Sequence, residues 1–419
     1  MIGDPIKQKD ILKHGLTMNH KIGHYVVNGK KFFNKLDAIL HANLTKAEVS
    51  WDFNKDILDR VQWEKEPPRS INMIYAERAR QIREKYDYVI IMASGGADSS
   101  NVVYSFLDNG IHVDEIIAGA PISGLKNLKI NANDTSAENT IAETMLAQLP
   151  FMHKISQKYP NIKLTIHDYF EDILELKTDE WIYEACGHWI HYSAATRHSL
   201  DKFKHLKDLA EQGKTIGVVY GIDKPIIVRS ETGYLYCMIP DSISNIVTPH
   251  FKERYTNVES VFFYYAVDFP ELMVKQVHEL SRWLYKPENA KLRDTILHDK
   301  AKPPSFNDCA KRRGVWQRTI VRCIYPAIFP DFSKVWQADK QGFGFNGGNQ
   351  IDAWVYKLHK SHRFVEMVDS DLRRFLKQVD PKYLMTIDGN IGWKVFVNYW
   401  KIGHESQFMP IEHNTTKYS

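Results

Sequence analysis

The stretch Tyr86-Asp87-Tyr88-Val89-Ile90-Ile91-Met92-Ala93-Ser94-Gly95-Gly96-Ala97-Asp98-Ser99-Ser100 joins an apolar, β-branched run to a two-glycine turn and then to a helical pattern. Val89 to Met92 is continuously apolar rather than alternating, which predicts a strand buried on both faces. Gly95 and Gly96 let backbone N–H groups turn inward without interference from a Cβ. The helix behind them points its positive end at whatever occupies the turn. A phosphate chain is the ligand that fits such a cradle. No lysine follows Gly96, so this is not the Walker loop, whose lysine reaches the β- and γ-phosphates. An acid, Asp98, stands nearby instead. A carboxylate beside a polyphosphate needs a divalent cation between them, which makes Asp98 a candidate Mg²⁺ ligand.

Outward from this stretch the pattern alternates. Helices are predicted over 71–85, 99–109 and 136–158, and strands over 86–92, 113–119, 162–167 and 215–221. Such alternation of apolar strands and helices predicts an α/β fold, a parallel doubly wound sheet covered on both faces. In such sheets ligands bind beyond the carboxyl ends of the strands, where the strand order reverses. The turn at Ser94 lies at such an end. Before this unit, His24 to Phe33 alternates around Asn28-Gly29, a hairpin signal, and a helix is predicted over 34–42. After it, 225–238 reads as a second hairpin whose turn holds Glu231 and Gly233. Three domains are expected: a small N-terminal α+β appendage (1–70), the phosphate-loop unit (71–240) and a mostly helical, aromatic-rich C-terminal domain (241–419). Ten tryptophans are many for the length, and five of them (Trp316, Trp336, Trp354, Trp393 and Trp400) fall after residue 300.

A chain of 419 residues with 43% hydrophobic residues supports two or three cores. No apolar run is long enough to span a bilayer and the first residues lack a hydrophobic segment, so a cytoplasmic protein without a membrane partner is expected. Cys186, Cys237, Cys309 and Cys323 stand singly, which argues against a disulfide framework and against a local zinc or iron–sulfur site. Net charge is +4, too small a mean to imply nucleic acid. Its distribution is less even: between Lys291 and Cys323 nine Lys or Arg face three acids, with Trp316 interleaved. This segment is either a grip for nucleic acid or a phosphorylated substrate, or a solvated basic face.

Ser94-Gly95-Gly96-Ala97-Asp98-Ser99, behind Val89-Ile90-Ile91-Met92, resembles the PP-loop of the ATP pyrophosphatase superfamily. That superfamily includes asparagine, NAD and GMP synthetases, tRNA thiolation enzymes and phosphoadenylyl-sulfate reductases. The likeness covers 71–229, and the whole arrangement resembles the phosphoadenylyl-sulfate-reductase-like proteins of bacteriophage genomes, which would place it in a host cytoplasm. It implies an adenine nucleotide alpha-hydrolase-like, HUP-type fold, with ATP and Mg²⁺ as ligands. It also implies a reaction. A substrate atom attacks the α-phosphorus, pyrophosphate leaves, and a second nucleophile displaces AMP.

By the same resemblance Ala93, Ser94, Gly95, Gly96, Asp98 and Ser99 would cradle the pyrophosphate, with Ser94 and Asp98 catalytic. Gly119 and Ala120 would lie against adenine and ribose. Gly221 and Asp223 would face the nucleotide, and Lys224 would supply the cation that the loop lacks; a turn role for Asp223 and Lys224 stays open. Arg229 and Glu231 slightly resemble reductase elements but border a hairpin turn. Cys186-Gly187-His188 has a superficial likeness to a reductase Cys-Gly-x-His, yet the C-terminal tail holds no cysteine to act as the reductase nucleophile. Ile2 stands where a built-in glutaminase would need cysteine. His188, His191, His198 and His205 fall near one face of a helix predicted over 187–212, either a metal stripe or an amphipathic edge. The expected activity is therefore adenylation of a small-molecule or nucleotide acceptor followed by nitrogen transfer. Sulfur transfer, a reductase-like reaction and a non-catalytic nucleotide-binding subunit remain alternatives, and a homo-oligomer is a candidate state.

Overall fold

The computed structural model describes residues 23–33, 35–120, 148–168, 203–222, 225–241, 255–297, 324–325, 377, 379–387 and 390–410. Asn28 and Gly29 both take positive φ, 49° and 75°, the geometry that a two-residue hairpin turn demands. They join β1 (His24–Val27) to β2 (Lys30–Phe32). α1 (Lys35–Thr45) follows, burying Leu36, Ala38, Ile39 and Ala42. β3 (Ser50–Asp52) then pairs with the other side of β1, so the described part of the appendage is a small antiparallel sheet with α1 and a single further helical turn, Lys55–Leu58. α2 (Ile71–Lys85) begins at Ser70, whose hydroxyl caps the Met73 N–H at 3.3 Å.

The main unit then runs β4 (Tyr88–Met92), α3 (Ala97–Leu107), β5 (Glu115–Ala120), α4 (Leu149–Lys158), β6 (Lys163–Asp168), α5 (Lys204–Glu211) and β7 (Ile216–Tyr220). Beyond it come β8 (Ile226–Arg229), β9 (Tyr234–Pro240), β10 (Val258–Phe262), α6 (Pro270–Leu284) and α7 (Ala290–Ile296). Five strands form one parallel sheet in the order β10-β7-β4-β5-β6, flanked by helices. Every residue of β7 is buried. Successive side chains point to opposite faces of a strand, so both faces are covered there. From β4 the chain winds outward through β5 and β6, then returns to the other side of β4 for β7 and β10. The reversal therefore falls between β4 and β7.

A mostly helical region is expected over 241–419, and among its described residues helix and strand are mixed. Besides α6 and α7, its described residues supply β10 to the parallel sheet and a hairpin of β11 (Leu384–Ile387) and β12 (Asn390–Trp393). They also supply β13 (Val397–His404), which pairs with β9 in a three-stranded sheet ordered β13-β9-β8. The parallel sheet therefore does not stop at residue 240. Nor does the appendage stand apart. Asn398 on β13 donates to the Trp51 carbonyl (3.0 Å) and accepts from the Phe53 N–H (2.8 Å), while Trp63 stacks on Trp400 with centroids 5.5 Å apart. One hydrophobic cluster runs through all three regions. No helix among the described residues is long and apolar enough to cross a membrane.

Candidate functional site

The loop 93–96 leaves β4 and Gly221 leaves β7, the two strands that flank the reversal, with Met92 in register with Tyr220 on one side and Ile117 on the other. Gly95 takes φ +74°, in the left-handed region that favours glycine. Gly96 is the N-cap of α3 and, as a glycine, brings no capping side chain of its own. The positive end of α3 thus faces the loop. Gly221 completes the enclosure. A Cβ on it would lie 2.9 Å from the Asp98 carbonyl oxygen and 3.0 Å from the Ser99 Cα, so only glycine lets the β7 loop pass the first turn of α3.

Within the loop the contacts are long. The Ser94 N–H donates to Ser99 Oγ at 3.2 Å, the two serine hydroxyls lie 3.3 Å apart, and the Gly96 N–H reaches Ser94 Oγ at 3.3 Å. Hydrogen bonds of this length are weak, so these donors can re-aim toward a stronger, charged acceptor. Ser94 is exposed and Ser99 buried. Ala93 is buried, with its N–H given to Ile117 O (2.8 Å) and its carbonyl accepting from Gln148 Nε2 (3.3 Å), so its backbone closes the strand.

Asp98 lies in the first turn of α3, where its charge meets the helix's positive end. Two tyrosines far along the chain hold it. Tyr325 donates its hydroxyl to Asp98 Oδ1 at 2.5 Å, and Tyr264 donates to the Asp98 carbonyl at 2.8 Å while accepting from Asn101 Nδ2 at 3.0 Å. Their ring centroids are 5.5 Å apart. Burial first, and the Asp98 charge second, push both hydroxyls well above the phenol range, so both remain protonated donors. Neither residue was legible in the sequence as part of the site. Tyr264 has a signal in retrospect: it lies in the aromatic run Phe262-Phe263-Tyr264-Tyr265 at the carboxyl end of β10, beside β7.

Gly119 and Ala120 end β5, the neighbour of β4, in register with His167 and Asp168 of β6. They thus share the loop's end of the sheet. Asp223 and Lys224 lie outside the described residues, as do Cys186, Cys309, Cys323, His188, His191, His198 and Trp316. So does the basic segment beyond 297.

The remaining candidates separate from the loop. His205 Nε2 lies 2.7 Å from Glu115 Oε2, a fully buried carboxylate at the first residue of β5 that also accepts from Tyr88 (3.1 Å) and Thr165. This is a tie at the amino ends of the strands. Among the described residues no group of three or more His, Cys, Asp or Glu is placed to hold a metal ion. Arg229 Nη1 bonds Glu405 at 2.9 Å and its Nη2 the Leu297 carbonyl at 3.3 Å, while Glu231 is exposed in the turn. Arg229 therefore fastens the end of β13 and does not face the loop. Cys237 is a buried thiol whose ionisation burial disfavours.

No protein-family model matches the chain, and neither a curated protein nor a solved structure matches it.

Proposed function

We propose that the protein is an ATP-dependent, AMP-forming enzyme that adenylates an acceptor with release of pyrophosphate and then transfers nitrogen. The observation that carries this reading is the double-glycine loop running into a helix N-terminus whose N-cap is glycine, at the reversal of a parallel sheet, with a carboxylate at the second residue of the helix. Polyphosphate suits the N–H groups and the helix end. The PP-loop resemblance of Ser94 to Ser99 supplies the nucleotide and the bond to be broken.

An acceptor oxygen forms a bond to the α-phosphorus, the α–β P–O bond breaks, and pyrophosphate leaves with the electron pair. An amine nitrogen then attacks the adenylated atom and AMP departs. Ser94, Gly95, Gly96 and Ser99 hold the leaving pyrophosphate, Gly119 and Ala120 lie against the adenosine, and Gly221 keeps the crevice wall close. Donors fixed before the reaction lower the barrier without reorganising as charge develops. A close wall that a Cβ at Gly221 would press on and a helix that starts at a glycine fit an ATP phosphate chain. Asp98 would hold Mg²⁺ together with phosphate oxygens, the ion offsetting charge on the leaving group. Lys224 is assigned the remaining neutralisation. The basic run 291–323 makes a nucleotide or nucleic acid the first acceptor class to try, and a cytoplasmic site follows from the use of ATP.

Incubation with Mg²⁺, α-labelled ATP and candidate acceptors tests this. Expected products are AMP and pyrophosphate, lost in Asp98→Ala. ADP and phosphate as products would overturn the assignment of the bond. Tight binding without turnover on any acceptor would leave a nucleotide-binding subunit in its place. Loss of turnover in Cys186→Ser would turn the second step from nitrogen to sulfur.

A further inference from the structure

We infer that Tyr325 is a positioning residue for the Asp98 carboxylate, setting its geometry for the Mg²⁺-bound nucleotide; the inference rests on the function proposed for this loop. Tyr325 is fully buried and its hydroxyl bonds Asp98 Oδ1 at 2.5 Å. A phenylalanine would fill the same space beside Tyr264 and Tyr75, whose rings lie 5.5 and 6.4 Å away. The hydroxyl adds a charge-assisted hydrogen bond to Asp98 Oδ1, which helps fix the plane of the carboxylate. A metal ion needs that plane fixed, because its ligands act at short, defined distances.

The position of Tyr325 is itself fixed by a buried relay. Gln276 on α6 donates to the Tyr75 hydroxyl at 3.0 Å, and Tyr75 on α2 donates to the Ile324 carbonyl at 2.7 Å. Ile324, Tyr75 and Gln276 are each no more than 2% exposed. Two helices therefore hold the backbone just before Tyr325, and Tyr325 holds the acid. A residue 227 positions beyond Asp98 thereby becomes part of the loop's wall.

The test uses the full chain and titrates ATP with and without Mg²⁺. Tyr325→Phe is expected to weaken MgATP binding about tenfold, the loss typical of a hydrogen bond to a charged group, and to leave binding of ATP in EDTA unchanged. In an Asp98→Ala background the same substitution should cost nothing further. Tyr88→Phe removes a tyrosine hydrogen bond to the buried Glu115 at the opposite end of the strands, and should change neither titration. Asp98→Asn keeps the acceptor oxygen and removes the charge, testing the contact from the other side; a loss confined to MgATP is expected. Unchanged MgATP binding by Tyr325→Phe, equal losses with and without Mg²⁺, or a further loss in the Asp98→Ala background would each overturn the positioning role. If the unsubstituted chain fails to bind MgATP, or Asp98→Ala binds it equally well, the function assigned to the loop fails first and this role with it.

Discussion

At the scale of single residues, the site depends on places where an atom is missing. Gly221 lacks the Cβ that would press on the Asp98 carbonyl at 2.9 Å. Gly221→Ala should therefore separate the β7 loop from the first turn of α3, lowering stability by about 1–3 kcal/mol, as overpacking does. The measurement is urea unfolding alongside ATP titration, and binding should fall more than the stability change alone would produce at the assay temperature. Glu405 supplies a pH dependence. Burial raises its pKa, but hydrogen bonds from Tyr285 (2.6 Å) and Arg229 (2.9 Å) outweigh burial and leave it below 4.5. A lowered folded pKa contributes stability that is present above the unfolded value and lost as pH falls through the folded one. Glu405→Gln should thus be about 1 kcal/mol less stable than the native chain at pH 7, the difference closing as pH falls below the ordinary glutamate range. A midpoint difference that persists in acid would refute this assignment of the charge.

At the scale of elements, local chemistry set most boundaries. The helix predicted over 71–85 is α2, residue for residue, because Ser70 caps it and an apolar face runs its length. The next helix was expected over 99–109 but begins at Ala97, since Gly96 serves as the cap, and it ends before Gly110 turns the chain at φ +66°. The strand expected from Tyr86 starts at Tyr88. The Tyr86 ring instead lies against Gly217, where a Cβ would come within 2.5 Å of it, and its hydroxyl reaches Glu259. β10 and β13 were missed, because neither a short strand beside a long helix nor a half-polar one announces its partner locally. β13 in particular is held by Asn398. Asn398→Ala should destabilise the chain by about 2–3 kcal/mol by stranding the Trp51 carbonyl and the Phe53 N–H, while MgATP affinity stays as it is. Chemical denaturation and the ATP titration check the two halves of that expectation.

At the scale of the whole molecule, the first seventy residues and the end of β9 share a buried charge pair. Lys35 Nζ lies 2.8 Å from Asp241 Oδ2, both side chains are fully buried, and Tyr25 donates to the same oxygen at 2.9 Å. Breaking such a pair from one side leaves an uncompensated charge, so Lys35→Met should cost about 3–5 kcal/mol. Lys35→Met with Asp241→Leu should recover much of that loss. A double-mutant cycle in urea measures it, and additive single losses would show that the pair does not act as a unit. Because one apolar cluster spans the appendage, the sheet and the C-terminal strands, unfolding should follow a single transition by fluorescence and by circular dichroism.

The sequence alone determined the local devices: the Asn28-Gly29 hairpin, the apolar β4, the glycine loop, the helix that follows and the alternation that makes a parallel sheet. Each follows from backbone sterics and hydrophobic period within a few residues. Only the tertiary structure decided that β10 joins the edge of the parallel sheet and β13 the edge of the β13-β9-β8 sheet, that Arg229 and His205 serve packing rather than the loop, and that Tyr264 and Tyr325 hold Asp98. Those contacts join residues 90 to 227 positions apart. Their partners are chosen by which surfaces the whole chain buries together, and no local period records that choice.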